Sequence, residues 1–447
     1  MIQLRMIKLF RTIFCFVTCF TIFILLSNPF NGFCSDYTYI NISNPLLRKI
    51  PIAVPDFKNL SKNVQEIRYG KDALNILIHD LDFTGYLKTM DKKSFLQDPS
   101  KTGISGAEIN FKDWTSIGAE LLVTGGILVS GNIVTLKLRL FDPFKGSLLV
   151  GKVYTGHMSD IRKMVHRFSS EISYKLTGKR GVFSSKIAFV SKFKQHKEIF
   201  VCDFDGYNPV QVTHLKSITL SPSWSSDGKY LAYTSFARGK PDIYIKNLKE
   251  KRGVLVAFKG INITPDWVPG KFAFAACLSF SGDQEIYLLT GKGKIIKRLT
   301  ENWGIDVSPA FSPDGKKMAF VSKRSGTPQI YIKNLSTGNV TRLTFQGRYN
   351  TSPAWSPSGD KIAYVGVVKD EINIYTIGID GSESVQLTSD TGDNEDPAWS
   401  PDGNLIVFTS NREGVSRIYV MTAVGNDQRR LLKIKGAQSE PDWSLGN

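Results

Sequence analysis

The sequence predicts a mainly β protein: a six-bladed β-propeller of four-stranded blades, closed by its C-terminal strand and preceded by a small α/β domain. Three observations lead there. The 447 residues include 38 Gly, 19 Pro, 28 Phe, 16 Tyr and 7 Trp, a composition that suits many short strands joined by tight turns. Aromatic residues at Trp224, Trp267, Phe311, Trp355, Trp399 and Trp443 recur at spacings of 43, 44, 44, 44 and 44. A second series, Ile199-Phe200, Ile243-Tyr244, Ile286-Tyr287, Ile330-Tyr331, Ile374-Tyr375 and Ile418-Tyr419, keeps nearly the same period, which is the length of one propeller blade.

The chain opens with Arg5, Lys8 and Arg11 and no acid, then an apolar run over 13–26 and a polar stretch ending in Gly32-Phe33-Cys34-Ser35. This is the layout of a secretory signal, and 14 apolar residues fall short of the roughly 20 that span a bilayer as a helix. Residues 1–34 are therefore expected to be a signal peptide, with no integral membrane segment after cleavage. The bulky Phe33 argues against lipidation of Cys34. Of the formal net charge of +17, about +14 remains. Basic and acidic residues number 19 and 14 over 35–178, and 35 and 26 over 179–447. Neither region concentrates charge, so solvated faces are expected, and export argues against nucleic acid as a partner. Cys202 and Cys277 follow the signal and form no disulfide framework or zinc spacing.

Residues 35–178 lack the repeat and mix strands with helices. A strand is expected over 50–54 and a helix over 60–81. Further strands are expected over 119–129, 133–141 and 148–154, the first two separated by Ser130-Gly131-Asn132. Ile161, Met164, Val165, Phe168, Ile172 and Leu176 then recur at helical spacing, with Ser159 as the expected cap and Gly178 as the stop. One sheet with a few helices results. The short 179–183 link implies that this domain docks closely on the propeller of 179–447.

Each repeat parses as four strands. A Pro-x-aromatic strand runs into a Ser-Pro-Asp-Gly turn, in which Pro presets φ, Asp bonds the local backbone and Gly accepts positive φ. A short apolar strand follows, as over 317–322. The third strand carries the Ile-aromatic pair, and the fourth ends in Leu-Thr, as at Leu299-Thr300, Leu343-Thr344 and Leu387-Thr388. In the unit of Trp267 the turn is Pro269-Gly270 without the Asp, which predicts a tighter hairpin. The first copy, 185–213, lacks an aromatic strand, and residues 440–444 supply one with nothing after it. The C-terminal strand should therefore complete the earliest blade and cover its open edge. The aromatics are expected to wedge between blades rather than stack on a ligand.

No catalytic residue or cofactor is expected. His79, His157, His166, His196 and His214 are scattered, and neither H-E-x-x-H nor G-x-S-x-G occurs. Gly125-Gly126 lacks the Lys-Ser/Thr of a phosphate loop and reads as a bend. His166, between apolar helix positions, reads as packed rather than as a ligand. A metal in the channel is left open. The alternative function, a propeller lyase or hydrolase acting on an envelope polysaccharide, needs a cluster of His, Asp or Glu at the ring centre, and no such cluster is expected.

The export signal, the α/β domain, the junction RKMVHRFSSEISYKLTGKRGVFSSKIAFVS and six WSPDG-type blades together resemble the TolB family, periplasmic propellers of the Tol-Pal cell-envelope system. The resemblance covers essentially the whole mature chain. It implies a monomeric, non-enzymatic periplasmic protein that binds the lipoprotein Pal through the propeller and the inner-membrane-anchored TolA through its mature N-terminus. The implied role is to support outer-membrane integrity and envelope constriction during cell division. The TolA-type segment corresponds to Ser35, Asp36, Tyr37, Thr38, Tyr39, Ile40, Asn41, Ile42 and onward to Leu46. The Pal-type contacts correspond to Ile261, Asn262, Thr264, Asp306, Val307, Ser308, Arg348, Asn350, Asn394, Glu395 and Glu440, in loops ahead of the blade aromatics. The family carries a histidine where this chain has Ile261, so that contact is lost or replaced.

Overall fold

A computed structural model describes residues 49–61, 63–98, 101, 103–250 and 253–446. The signal over 1–34 and the segment from Ser35 to Leu46 lie outside the described residues. Among those described, no helix is long and apolar enough to cross a membrane.

The α/β part is one mixed sheet. Its strands are β1 (Ile50–Ala53), β2 (Lys58–Asn59), β3 (Leu87–Thr89), β4 (Leu121–Ser130), β5 (Ile133–Asp142) and β6 (Ser147–His157), in the order β3-β1-β4-β5-β6 with β2 also on β4. Helix α1 covers Gln65–Phe83, α2 covers Phe111–Ser116 and α3 covers Ile161–Thr177. Helix α1 begins five residues later than expected. Leu60 donates its amide to Ile127 O and so extends the sheet, while Asn63 Oδ1 accepts from Gln65 N at 3.0 Å. Helix α3 follows a 3-10 turn over Met158–Asp160, which leaves Asp160 rather than Ser159 at the cap position. Gly178 stops α3 in the left-handed conformation, φ 74°, as its missing Cβ allows. The apolar stripe of α3, from Ile161 to Leu176, is buried as its spacing requires.

Six four-stranded antiparallel sheets follow, and the 44-residue period maps onto them strand by strand. Blades 1–5 each use four consecutive strands, beginning with the inner strands Thr219–Trp224, Asn262–Trp267, Asp306–Phe311, Tyr349–Trp355 and Asn394–Trp399. Blade 6 combines Gln438–Trp443 with Lys186–Phe193, His196–Asp203 and Val210–Gln211. Trp443 lies opposite Ile187 and Gln438 opposite Ser191, so the C-terminal strand closes the ring.

The repeated aromatics are wedges. Trp267, Trp355 and Trp399 donate their indole N–H to the inner strand of the preceding blade, at Ser223 O, Ala310 O and Ala354 O, over 2.9–3.2 Å. Trp443 donates to Ser185 Oγ at 2.8 Å. In these four the ring fills a joint while its one polar atom stays bonded, whereas the indole N–H of Trp224 is buried without a partner.

The hairpin at Pro269-Gly270 is not tighter than the others. Trp267 faces Phe274, seven residues on, just as Phe311 faces Met318. What changes is the turn. Lys271 N donates to Val268 O, with Pro269 second and Gly270 third at φ 69°, a type II arrangement that needs no Asp.

The α/β part packs on blades 5 and 6, on the side of the Ser-Pro-Asp-Gly turns. Phe83 at the end of α1 enters a cluster with Phe183, Phe204, Leu405 and Val420, and its ring meets Phe204 edge-on at 5.1 Å. Arg429 donates to Phe83 O at 2.9 Å, Lys179 donates to Asp402 O at 2.8 Å, and Arg162 pairs with Asp205 at 2.6 Å. His166 is packed, with Nδ1 2.7 Å from Asp80 Oδ2 and its ring edge-on to Phe204.

Candidate functional site: one mouth of the propeller

Strand direction sorts the connections into two mouths. In a four-stranded antiparallel blade, the second-to-third turn lies at the same end as the loop leading into the next inner strand. Backbone bonds tie these connections together: Asn262 N donates to Pro241 O, Lys323 N to Ile305 O, Asn350 N to Pro328 O and Gln438 N to Ser416 O, over 2.9–3.2 Å. This mouth faces away from the α/β part, which leaves it uncovered among the described residues.

The expected partner contacts divide into four groups. Asn262, Asp306, Asn350 and Asn394 begin the inner strands and are at most 1% exposed. Their side chains reach back to the third strand of the preceding blade or to a neighbouring turn. Asn262 Nδ2 donates to Asp242 Oδ1 at 3.1 Å, Asn350 Nδ2 to Gln329 Oε1 at 2.7 Å, and Asn394 Nδ2 to Asn373 Oδ1 at 3.1 Å. Asp306 accepts from Arg324 at 2.8 Å, while burial raises its pKa against that help. These four sit buried at polar joints between blades, where Asp306 Oδ1 and Asn350 Oδ1 are the oxygens left without a partner.

Thr264, Ser308 and Glu440 sit one turn deeper and line the channel. With Ser221, Ser352 and Asp396 they mark one position in all six blades, and every one of them has φ between 49° and 52°. A proline follows each, and the ladder register shifts there. Six non-glycine residues in this conformation make a ring of bulges that turns each inner strand toward the axis. Val307 is half-buried on its strand opposite Val321, and Ile261 is half-buried in its loop. Arg348 and Glu395 alone of the eleven are exposed on the rim.

Sequence reasoning missed the apolar part of this face. Trp303 is 72%, Phe345 71% and Phe193 69% exposed, with Phe236 and Phe280 partly so, all in connections at this mouth. The signal was available: Trp303 and Phe345 fall just after Leu-Thr, outside both repeat registers, where no blade joint needs a ring.

The ring centre does hold acids, contrary to expectation: Asp266, Asp396, Glu440 and Asp442 line a cavity of about 560 Å³. Burial raises Asp266 to about 8, Asp442 to about 7 and Asp396 to about 7, the last also repelled by Glu440. Glu440 is likewise raised by burial. They serve as acceptors at blade joints: Asp266 Oδ2 takes Phe311 N at 3.0 Å, Asp442 Oδ2 takes Trp224 N at 2.7 Å and Glu440 Oε2 takes Ser221 N at 2.6 Å. No histidine or cysteine lines the cavity with them. Among the described residues, no three His, Cys, Asp or Glu are grouped as a metal site.

Comparison with known proteins agrees with this architecture. Residues 174–446 match the family described as TolB beta propeller domain, and residues 38–149 match the TolB amino-terminal domain. The Tol-Pal system protein TolB of Desulfosudis oleivorans is 53% identical over 270 residues, which is 60% of this chain and 62% of that protein. A protein TolB homolog of Chlorobium chlorochromatii is 44% identical over 280 residues, 63% of this chain and 62% of its own. The matched stretch thus spans under two thirds of these relatives. The crystal structure of TolB from Acinetobacter baumannii aligns with a TM-score of 0.78 at 28% identity, covering 89% of this chain and 97% of that one. With six closed blades, an α/β domain packed on two of them and a family match over more than half its length, the chain belongs to the TolB family.

Proposed function

We propose that this protein is a periplasmic, non-enzymatic scaffold of the Tol-Pal system that holds Pal on the open mouth of its propeller and offers its mature N-terminal segment, from Ser35 to Leu46, to TolA. Through those contacts it supports outer-membrane integrity and envelope constriction during division. The observation that carries the reading is the mouth itself. Twelve connections pinned to one another form a rigid rim, and Trp303 and Phe345 stand out from it about seven-tenths exposed. Large exposed rings on a rigid surface are the residue type that anchors protein interfaces. The channel acids Asp266, Asp442 and Glu440 each accept a backbone amide of a neighbouring blade, a structural use consistent with this reading.

A titration of the mature protein with the Pal domain of the same organism, followed by calorimetry, tests this. Saturable one-to-one binding that the double variant W303A/F345A loses supports it. No heat of binding with the unaltered protein overturns it.

A further inference from the structure

We infer that the open mouth is electrically polarised, and that this polarity admits its protein partner in one rotational setting only, with an acidic side of the partner over blades 6 to 2 and a basic side over blades 4 and 5. The inference rests on the reading above and specifies the chemistry of the face that docks.

Charge on the rim is sorted by sector. The connections 192–197, 214–218, 236–241, 257–261 and 433–437 belong to the sector from blade 6 to blade 2. They contain exposed Lys192, Lys194, Lys216, Arg238, Lys259 and Lys435 and not one Asp or Glu, and blade 2's own hairpin turn, 279–284, adds a single exposed acid, Asp283. On blades 4 and 5 the rim instead carries exposed Asp370, Glu371, Asp390, Glu395 and Glu413. The cations interspersed there are engaged or outnumbered. Arg348 lies 3.9 Å from Asp370 and Arg430 pairs with Glu413 at 2.8 Å, while Lys369 and Arg412, the latter bonded to the uncharged amides of Asn394 and Gln428, keep their charge, so this sector is mixed where the other is predominantly basic. Two hairpins reach beyond the rest. The second and third strands of blades 4 and 6 run eight residues, against six in the other blades, and their tips place Lys369-Asp370 and Lys194 farthest forward. Trp303 and Phe345 stand between the sectors, on the loops leading into blades 3 and 4.

A net charge of about +14 on the mature chain alone would attract any acid partner in any orientation. A sorted rim does more, because a partner turned halfway round meets like charge on both sides. Exposed charges of this kind act mainly on the rate and register of encounter and fade within a screening length of about 8 Å at physiological salt.

The test is stopped-flow association of the mature protein with the Pal domain at 25 mM and 500 mM NaCl. Three variants are compared: R238E/K259E, E371K/E395K, and the combined four, whose net charge equals that of the unaltered protein. Each pair should slow association about tenfold at low salt. The combined variant should be as slow as the slower pair, and all should converge at high salt. A combined variant restored to the unaltered rate would mean that net charge alone matters and would overturn the inference while leaving Pal binding in place. Absence of binding by the unaltered protein would overturn both. Should a reversal fail to fold, R238Q/K259Q and E371Q/E395Q carry the same comparison at about a threefold effect. Two further arms decide against other occupants. Salt-sensitive capture of phosphatidylglycerol vesicles by the basic sector, or self-association in sedimentation that the same pairs abolish, with Pal association unchanged, would each overturn the inference.

Discussion

Asp442 accepts the backbone amide of Trp224 at 2.7 Å across 218 residues of sequence, and two positions earlier Glu440 accepts the amide of Ser221 at 2.6 Å. The strand that closes blade 6 is thereby fastened to blade 1 by two carboxylates, as well as to its own sheet by the ladder against Lys186–Phe193.

Removing residues 440–447 should lower the melting temperature by about 10 °C or more. The deletion strips Trp443 from the joint, and losing a buried Trp costs about 3–5 kcal/mol, at about 2–4 °C per kcal/mol for a domain of this size. Differential scanning calorimetry reads the shift, and a melt within 2–3 °C of the full chain, roughly one kcal/mol, would reject the closure.

The channel acids make stability fall as pH rises. Asp266, Asp396 and Asp442 have folded pKa values raised to about 8, 7 and 7 from 3.8. The folded state therefore holds their protons more tightly than the unfolded chain. Their contribution is complete below about pH 4 and is lost between about pH 4 and pH 8. Replacing Asp266 by Asn should raise the melting temperature at pH 8 by about 3–6 °C and change it little at pH 4.5. Parallel pH profiles for the two proteins would contradict this.

Neighbouring residues on the rim should behave oppositely. Asn394→Ala leaves Asn373 Oδ1, Thr391 Oγ1 and Gly392 O without a shared donor, so stability should drop by about 1–3 kcal/mol. Glu395→Ala, one position on and exposed, should leave the melt within about 0.5 kcal/mol and weaken Pal binding severalfold. Paired denaturant melts and titrations distinguish the two.

Trp303→Ala should weaken Pal binding by about 30-fold, the scale of an interface anchor, without altering the melt. A Kd unchanged within a factor of two would move the anchor elsewhere on the rim.

The blades were legible because each must solve one packing problem, and the solution recurs as Pro-x-aromatic, Ile-Tyr and Leu-Thr at fixed spacing. Even the closure was legible, since an aromatic strand without successors matched a blade without one. Local details read less well where tertiary contacts compete. The span ahead of Gln65 has helical composition but is drawn into the sheet through Leu60. The hairpin after Trp267 reaches the usual length by another turn type. At the mouth, position in sequence could not tell a joint from a surface: Asn350 and Arg348 are two residues apart, one buried and one exposed. The channel acids were hidden because Asp266 and Asp442 stand where other blades have Ser or Ala, and only the ring brings them together.

Ring closure also has a temporal meaning. Ser185 meets Trp443 across 258 residues, so the first blade to be synthesised stays unfinished until Trp443 has been made. Contacts of such long sequence separation form late and slowly. A nascent chain therefore keeps one seam unzipped throughout its synthesis, loose enough to be threaded and committed to its final shape in a single last step.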